Sequence, residues 1–525
     1  MGPERDAGLN QPATAGSTGR WRGVSSPERM PESAFTWIAV FAYAILLVTV
    51  GVLSRRASSF RMFAIGPRST HPIVIGMAVA AGSVSSSTFV INPGLVWLYG
   101  YSAFVALALS STVGLVMGLF LFSKSFRRIG EKFEALTVAQ WVGDRYGSPN
   151  LRTFFGCISL LQVAYAVLIV VSLAQVLSKG LSLPVIPVAV FLVLFTCSYI
   201  ALGGTSTLIS ANFLQCFVMT IVALLLIFSG GSHFADGIPA FFERLRAAGP
   251  FLADPVNPAS DLYRDLLETV VAQFVMGLAT ALLPHLIVKT LYLRDDREVN
   301  TYLFTASSFM VLFKLVVIAG LYARLELGGA PGLSADNVMA TYFVTHFSPV
   351  IRAVVTVGVI AAGFSTLESI VLALSSIFAN GVVRPLRERL NLAPVEPLKL
   401  ARVFFLILAP VVILLATREL LSTSVSVMIF AFQGVLAFTA AIVPVVGFGI
   451  YSKSQSSAAA FISAIVGLVS FYAMVLLQLT AYHTNPMIPG TIAVCLGLAT
   501  FAIVDVVDRR LAAHPKADPT KPRTV

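Results

Sequence analysis

Charge is what this chain has least of. Asp, Glu, Lys and Arg make up 12% of its 525 residues, and 57% are hydrophobic. A soluble protein of that length needs a larger charged surface. Cysteine is scarce too: Cys157, Cys197, Cys216 and Cys495 all sit inside apolar segments without paired spacing. That argues against a disulfide framework or a thiolate metal site and leaves them as small core residues. Six histidines are scattered, with no HExxH, no Cys/His cluster and no Walker loop, so nothing marks a membrane hydrolase. No alternating ten-residue pattern suggests an outer-membrane barrel, and no nucleic-acid motif accompanies the net charge of +11.

Apolar runs of about 20 residues, the length a helix needs to cross hydrocarbon, recur along the whole chain. The reading is an all-α polytopic membrane protein with about thirteen spans. They fall at 35–54, 72–98, 103–123, 151–178, 183–201, 206–229, 265–287, 302–324, 349–379, 400–417, 423–451, 457–482 and 488–506. Alternating the loops places 24 basic residues on one face and 7 on the other, leaving out the N-terminal tail. The positive-inside rule puts the basic face, and the C-terminus, in the cytoplasm of a cell whose plasma membrane the protein spans. An odd number of spans then puts the N-terminus outside. Residues 1–34 read as a disordered polar tail whose Arg5, Arg20, Arg22 and Arg29 resist translocation, so a translational start at Met30 is the expectation. The tail at 507–525 reads as cytoplasmic, without room for a sensor domain.

The span at 72–98 holds GSVSSST at its centre, where lipid would be. Intramembrane polar clusters face a bundle interior or cavity, and a glycine–hydroxyl run can free backbone carbonyls. Simple close packing of small residues is the structural alternative. A second cluster, Ser365, Thr366, Glu368 and Ser369, lies in the ninth span. Freed carbonyls at Ala81, Val84 and Ala362, with the hydroxyls of Ser365 and Thr366, could present five neutral oxygens to one point. That set suits a hard monovalent cation.

These stretches resemble the sodium/solute symporter family, whose members carry proline, sugars, pantothenate and short monocarboxylates. The resemblance rests on AAGSVSSSTFVINPGLVWLYG, YIALGGTSTLISANFLQ, LPHLIVKTLYLRDDREV and AAGFSTLESIVLALSS, in order on the expected spans. It implies the inverted five-plus-five repeat of the leucine-transporter type. An extra helix at 35–54 would be followed by repeats at 72–229 and 265–451 and by two further helices within 457–506. Spans two and seven would be the broken helices, the second interrupted by Gln273, Gly277 and Pro284. The resemblance also implies a sodium site at Ala81, Val84, Ala362, Ser365 and Thr366, with solute ligands at Ser87, Thr88, Gln273 and Gln433. Each glutamine could instead bridge helices.

Where many relatives carry Asp on the path of sodium toward the cytoplasm, this chain has Asn212. Asn212 and Glu368 are therefore candidates for coupling or the ion path. Glu368 is expected to pair with Lys314 in the preceding span, and Glu268 to face water. With no buried arginine, a carboxylate solute is expected to rest on half-helix N-termini and hydroxyls. The implied function is sodium-coupled uptake of a small organic solute, most of all a carboxylate such as pantothenate. Proton coupling, an amino-acid or sugar solute, and a non-transporting membrane sensor stay open as alternatives. The expected partners are the solute and the lipid bilayer.

Overall fold

A computed structural model describes residues 32–54, 59–329, 332–335, 337–421, 427–482 and 484–513. The expectations for residues 1–31, Met30 among them, and for 514–525 lie outside the described residues. Every regular element among the described residues is a helix. Ten helices are long and apolar enough to span a membrane, and two further pairs qualify together but bend sharply at a short break. One of the ten, Val185–Ser229, has 45 residues, about twice what a bilayer needs. It is interrupted at Gly204, whose φ of 59° and ψ of −143° are non-helical. Glycine alone adopts that backbone easily. A β-carbon there would also lie 2.7 Å from the Phe63 ring. Counting that helix as two spans and each bent pair as one gives thirteen.

The breaks have local causes. In span two, Pro72–Gly82 and Ser86–Tyr99 meet at 70°. Ser83 Oγ donates to Ala80 O at 2.8 Å, Ser85 is extended at φ −97° and ψ 174°, and Ser85 and Ser87 share a 2.6 Å hydroxyl bond. Short hydroxyl side chains give the backbone an alternative to the helix ladder, and here it is taken. In span seven, Leu267–Thr280 and Pro284–Tyr292 meet at 55°. Leu283 is extended at ψ 134°, as steric conflict with the Pro284 ring requires of a preceding residue.

The interruption of span seven is therefore confined to Ala281–Leu283 and does not involve Gln273 or Gly277, which lie within the regular helix Ala272–Thr280. Gly277 is there for close approach. A β-carbon on it would come within 2.3 Å of Ser111 O on the neighbouring span. Span nine, Pro349–Ile377, forms the centre of the bundle. Of its apolar window 94% is buried, against 22% for the first span and 39% for the Val185–Ser229 and Pro397–Leu421 windows and for each of the last two spans. It packs on spans one, two, four and six. Lipid is as apolar as leucine, so such contacts hold through close packing and interhelical hydrogen bonds.

Candidate ion and solute site

The break in span two lies against the middle of span nine. Ser365 Oγ donates to Ala81 O and to Ala362 O, each at 2.9 Å. Thr366 Oγ1 donates to Val84 O at 3.1 Å and to Ala362 O at 3.3 Å. All five residues are fully buried, and their oxygens form one hydrogen-bonded cluster across two spans. A hydroxyl has one proton to give and two lone pairs to offer. Two protons thus serve three carbonyls, and turning them away would leave five oxygens facing inward without a carboxylate. Ala362 does not lie at a break. Span nine is unbroken over Pro349–Ile377, so the Ala362 carbonyl joins the cluster through the hydroxyls one turn later.

A cavity of about 480 Å³ opens beside this cluster. Both breaks line it, through Ser83 on span two and Leu283, His285 and Leu286 on span seven. Its lining also includes Asp261–Tyr263, between spans six and seven, and Thr484–Met487, at the start of the last span. That size suits a small organic molecule. Gln273 stands on the wall. Ser87, Thr88 and Gln433 do not line it, although Phe432, next to Gln433, does. Ser87 is engaged by Ser85, and Ser86 by Ser172 on span four at 2.6 Å.

Lys314 also lines this cavity, and no hydrogen bond or ion pair engages its ammonium among the described residues. Its expected pairing with Glu368 is not formed. Glu368, fully buried, accepts from Gln215 Nε2 at 2.9 Å and has no hydrogen-bond partner at its second oxygen among the described residues. The signal for Lys314 was in the sequence, as a lysine amid an apolar span, but periodicity could not say which way it faced. The cavity thus presents an ammonium in addition to hydroxyls and helix ends.

Two more residues differ from expectation. Glu268 is buried and not water-facing. Arg264 grips it through Nη2 at 2.7 Å and through its backbone N–H at 2.8 Å. Lys289, counted above with the basic loops, is 1% exposed inside the bundle. Asn212, also buried, donates to Ala78 O at 3.1 Å and Ser369 Oγ at 3.2 Å, one turn from the oxygen cluster.

A sequence model described as the Sodium:solute symporter family matches residues 63–467. Among curated proteins, the chain is 22% identical to the uncharacterized symporter YwcA of Bacillus subtilis, over 89% of this chain and 93% of that one. It is also 22% identical to the sodium/pantothenate symporter of Haemophilus influenzae, over 90% and 94%. Among solved structures, a Na+-coupled sialic acid symporter in a substrate-bound outward-open state superposes with a TM-score of 0.74. It is 16% identical and covers 90% of this chain and 97% of its own. Mhp1, a nucleobase-cation-symport-1 family transporter, superposes at 0.50 with 13% identity, over 85% and 95%. At these identities the structural likeness establishes the fold, an all-helical transporter bundle of the leucine-transporter type.

Proposed function

Because the chain belongs to the sodium:solute symporter family, we propose that it couples inward movement of sodium to uptake of a small organic carboxylate across the plasma membrane. One observation carries the coupling. Ser83, on the cavity wall, is followed by Val84 and stands two residues after Ala81, and the carbonyls of both belong to the oxygen cluster. A single three-residue break thus touches solute on one side and cation on the other. Filling either site favours the same local backbone, so each ligand raises the other's affinity for that conformation.

The roles follow from position. Ala81, Val84 and Ala362 would bind sodium through carbonyls, Ser365 and Thr366 through hydroxyls. Lys314 would meet the solute's carboxylate, with Gln273 hydrogen-bonding another part of it. The basic loops lie in the cytoplasm on the charge rule, so the cavity opens outward. Loss of sodium into a sodium-poor cytoplasm would then release the solute. Ser87, Thr88 and Gln433 remain outside the wall in this conformation and would reach solute only after the halves of span two or span eleven move.

The test is uptake into proteoliposomes of labelled pantothenate, acetate, pyruvate, lactate, proline and glucose. Each is run with an inward sodium gradient and with the gradient collapsed. Sodium-driven accumulation of an acid, and not of glucose, is the expected result. Accumulation that follows a proton gradient instead would transfer the coupling role to Glu368 and Asn212. No accumulation of any compound by folded protein would favour a sensor.

A further inference from the structure

Directly behind the proposed sodium site lies a buried lysine. Lys289 belongs to the second half of the broken span seven, Pro284–Tyr292. Its Nζ donates to Ala78 O at 3.0 Å and to Ser369 Oγ at 3.1 Å. These are the two acceptors that Asn212 also engages. Ala78 is one turn before Ala81, and Ser369 one turn after Ser365, to whose carbonyl its hydroxyl donates at 2.7 Å. Four spans therefore converge on one knot at the floor of the oxygen cluster. The fit is tight: a β-carbon on Gly82 would lie 2.7 Å from Lys289 Nζ.

No carboxylate is ion-paired with this ammonium among the described residues. Glu368 is adjacent to Ser369 in sequence but is engaged by Gln215, and Asn212 is neutral. A lysine buried without a counter-charge is expensive, so its place beside a cation site has consequences. As an ammonium it would repel a cation one turn away, and its contacts with Ala78 O and Ser369 Oγ would put it in the way of an ion passing Ser369.

We propose that Lys289 is a positioning residue for sodium coupling. Its ammonium holds the ion's affinity low and plugs the release side of the site until the second half of span seven moves. Asn212 is the residue that leaves that charge uncompensated. The inference rests on the sodium site proposed above. Release is then linked to conformation: when the half-helix swings, hydrogen bonds to both ion-holding spans break together.

The experiment is direct binding of 22Na+ to the purified full-length protein, with Lys289→Met, Lys289→Arg, Asn212→Asp and Thr366→Ala beside the wild type. Removing the charge in Lys289→Met should lower the sodium Kd by about 100-fold, the repulsion of two unit charges about one helical turn apart at an effective dielectric near 20, converted at about 1.4 kcal/mol per factor of ten. Asn212→Asp should lower it in the same direction by supplying a counter-charge, and Lys289→Arg should leave it near the wild-type value. A residue that only props the fold would weaken binding or leave it unchanged when altered. If Lys289→Met does not fold, Asn212→Asp decides alone. Thr366→Ala separates the two failures. If it weakens binding while neither Lys289→Met nor Asn212→Asp tightens it, only the role of Lys289 falls. If Thr366→Ala changes nothing, the sodium site falls and this inference with it.

Discussion

Replacing Lys314 by methionine keeps the length and apolar stem of the side chain and removes its charge. No hydrogen bond or ion pair engages its ammonium on the wall of the 480 Å³ cavity among the described residues, so its deletion should strand no internal group and leave the fold intact. A carboxylate about 4 Å from it gains about 4 kcal/mol at an effective dielectric near 20. Desolvation of both ions returns part of that. Hydrogen bonds to charged groups contribute about 1.5–3 kcal/mol net. At about 1.4 kcal/mol per factor of ten, Lys314→Met should raise the KM for an acid solute by about 10- to 150-fold. The assay is sodium-driven uptake in proteoliposomes, with inhibition by the solute and by its uncharged amide. The wild type should prefer the acid. The variant should lose that preference while its affinity for the amide hardly moves. Equal losses for acid and amide would mean that Lys314 shapes the cavity without pairing with solute. No loss at all would refute the assignment of a carboxylate to this site.

Three further expectations concern the same bundle. Thr366→Ala removes one of five clustered oxygens and should raise the sodium needed for half-maximal uptake by about tenfold, the worth of one hydrogen bond to a charged group. An unchanged sodium curve would count against the cluster as the ion site. Gln273→Ala should raise solute KM, while Gln433→Ala, off the cavity wall, should change it less than threefold on the scale of an unengaged side chain (~0.5 kcal/mol). Equal effects would place Gln433 at the solute in another conformation. Gly277→Ala would push a β-carbon to 2.3 Å from a backbone oxygen, which no rotamer relieves. Overpacking of this kind costs about 1–3 kcal/mol, and it should appear as a lower thermal midpoint in detergent.

Hydropathy was enough for the spans, because a helix that crosses lipid must be apolar over a fixed length. It separated the 45-residue helix correctly, since ALGGTST carries a glycine where the backbone turns. The hydroxyl run marked the first break for the same chemical reason that it forms one. The second break was harder to read. Gln273 and Gly277 look like interruptions in a string of letters, yet a glycine that serves a neighbour's backbone cannot be told from one that breaks its own. The charged residues show the limit most clearly. Lys289, Lys314 and Glu368 are each a single charge in an apolar context, and nothing local distinguishes a loop lysine, a cavity lysine and a partner for glutamate. Spans eight and nine are consecutive, which suggested a Lys314–Glu368 pair. Instead the bundle turns Lys314 to the cavity and Glu368 to Gln215 of span six.

The hydroxyls of the cluster also suggest why the coupling can be reversible. Ser365 and Thr366 satisfy Ala81, Val84 and Ala362 with their own protons. None of these three carbonyls is stranded. At the proposed site a cation would have to displace those hydrogen bonds, with Lys289 behind it. Both features would lower affinity, and a symporter needs that, because an ion held too tightly would not leave into the cytoplasm. Solute in the cavity would restore binding, since Ser83 and Val84 are consecutive residues of one break and cannot be ordered separately. On this reasoning the wild-type sodium affinity should be weak without solute and rise with it, by the same factor with which sodium raises the affinity for solute.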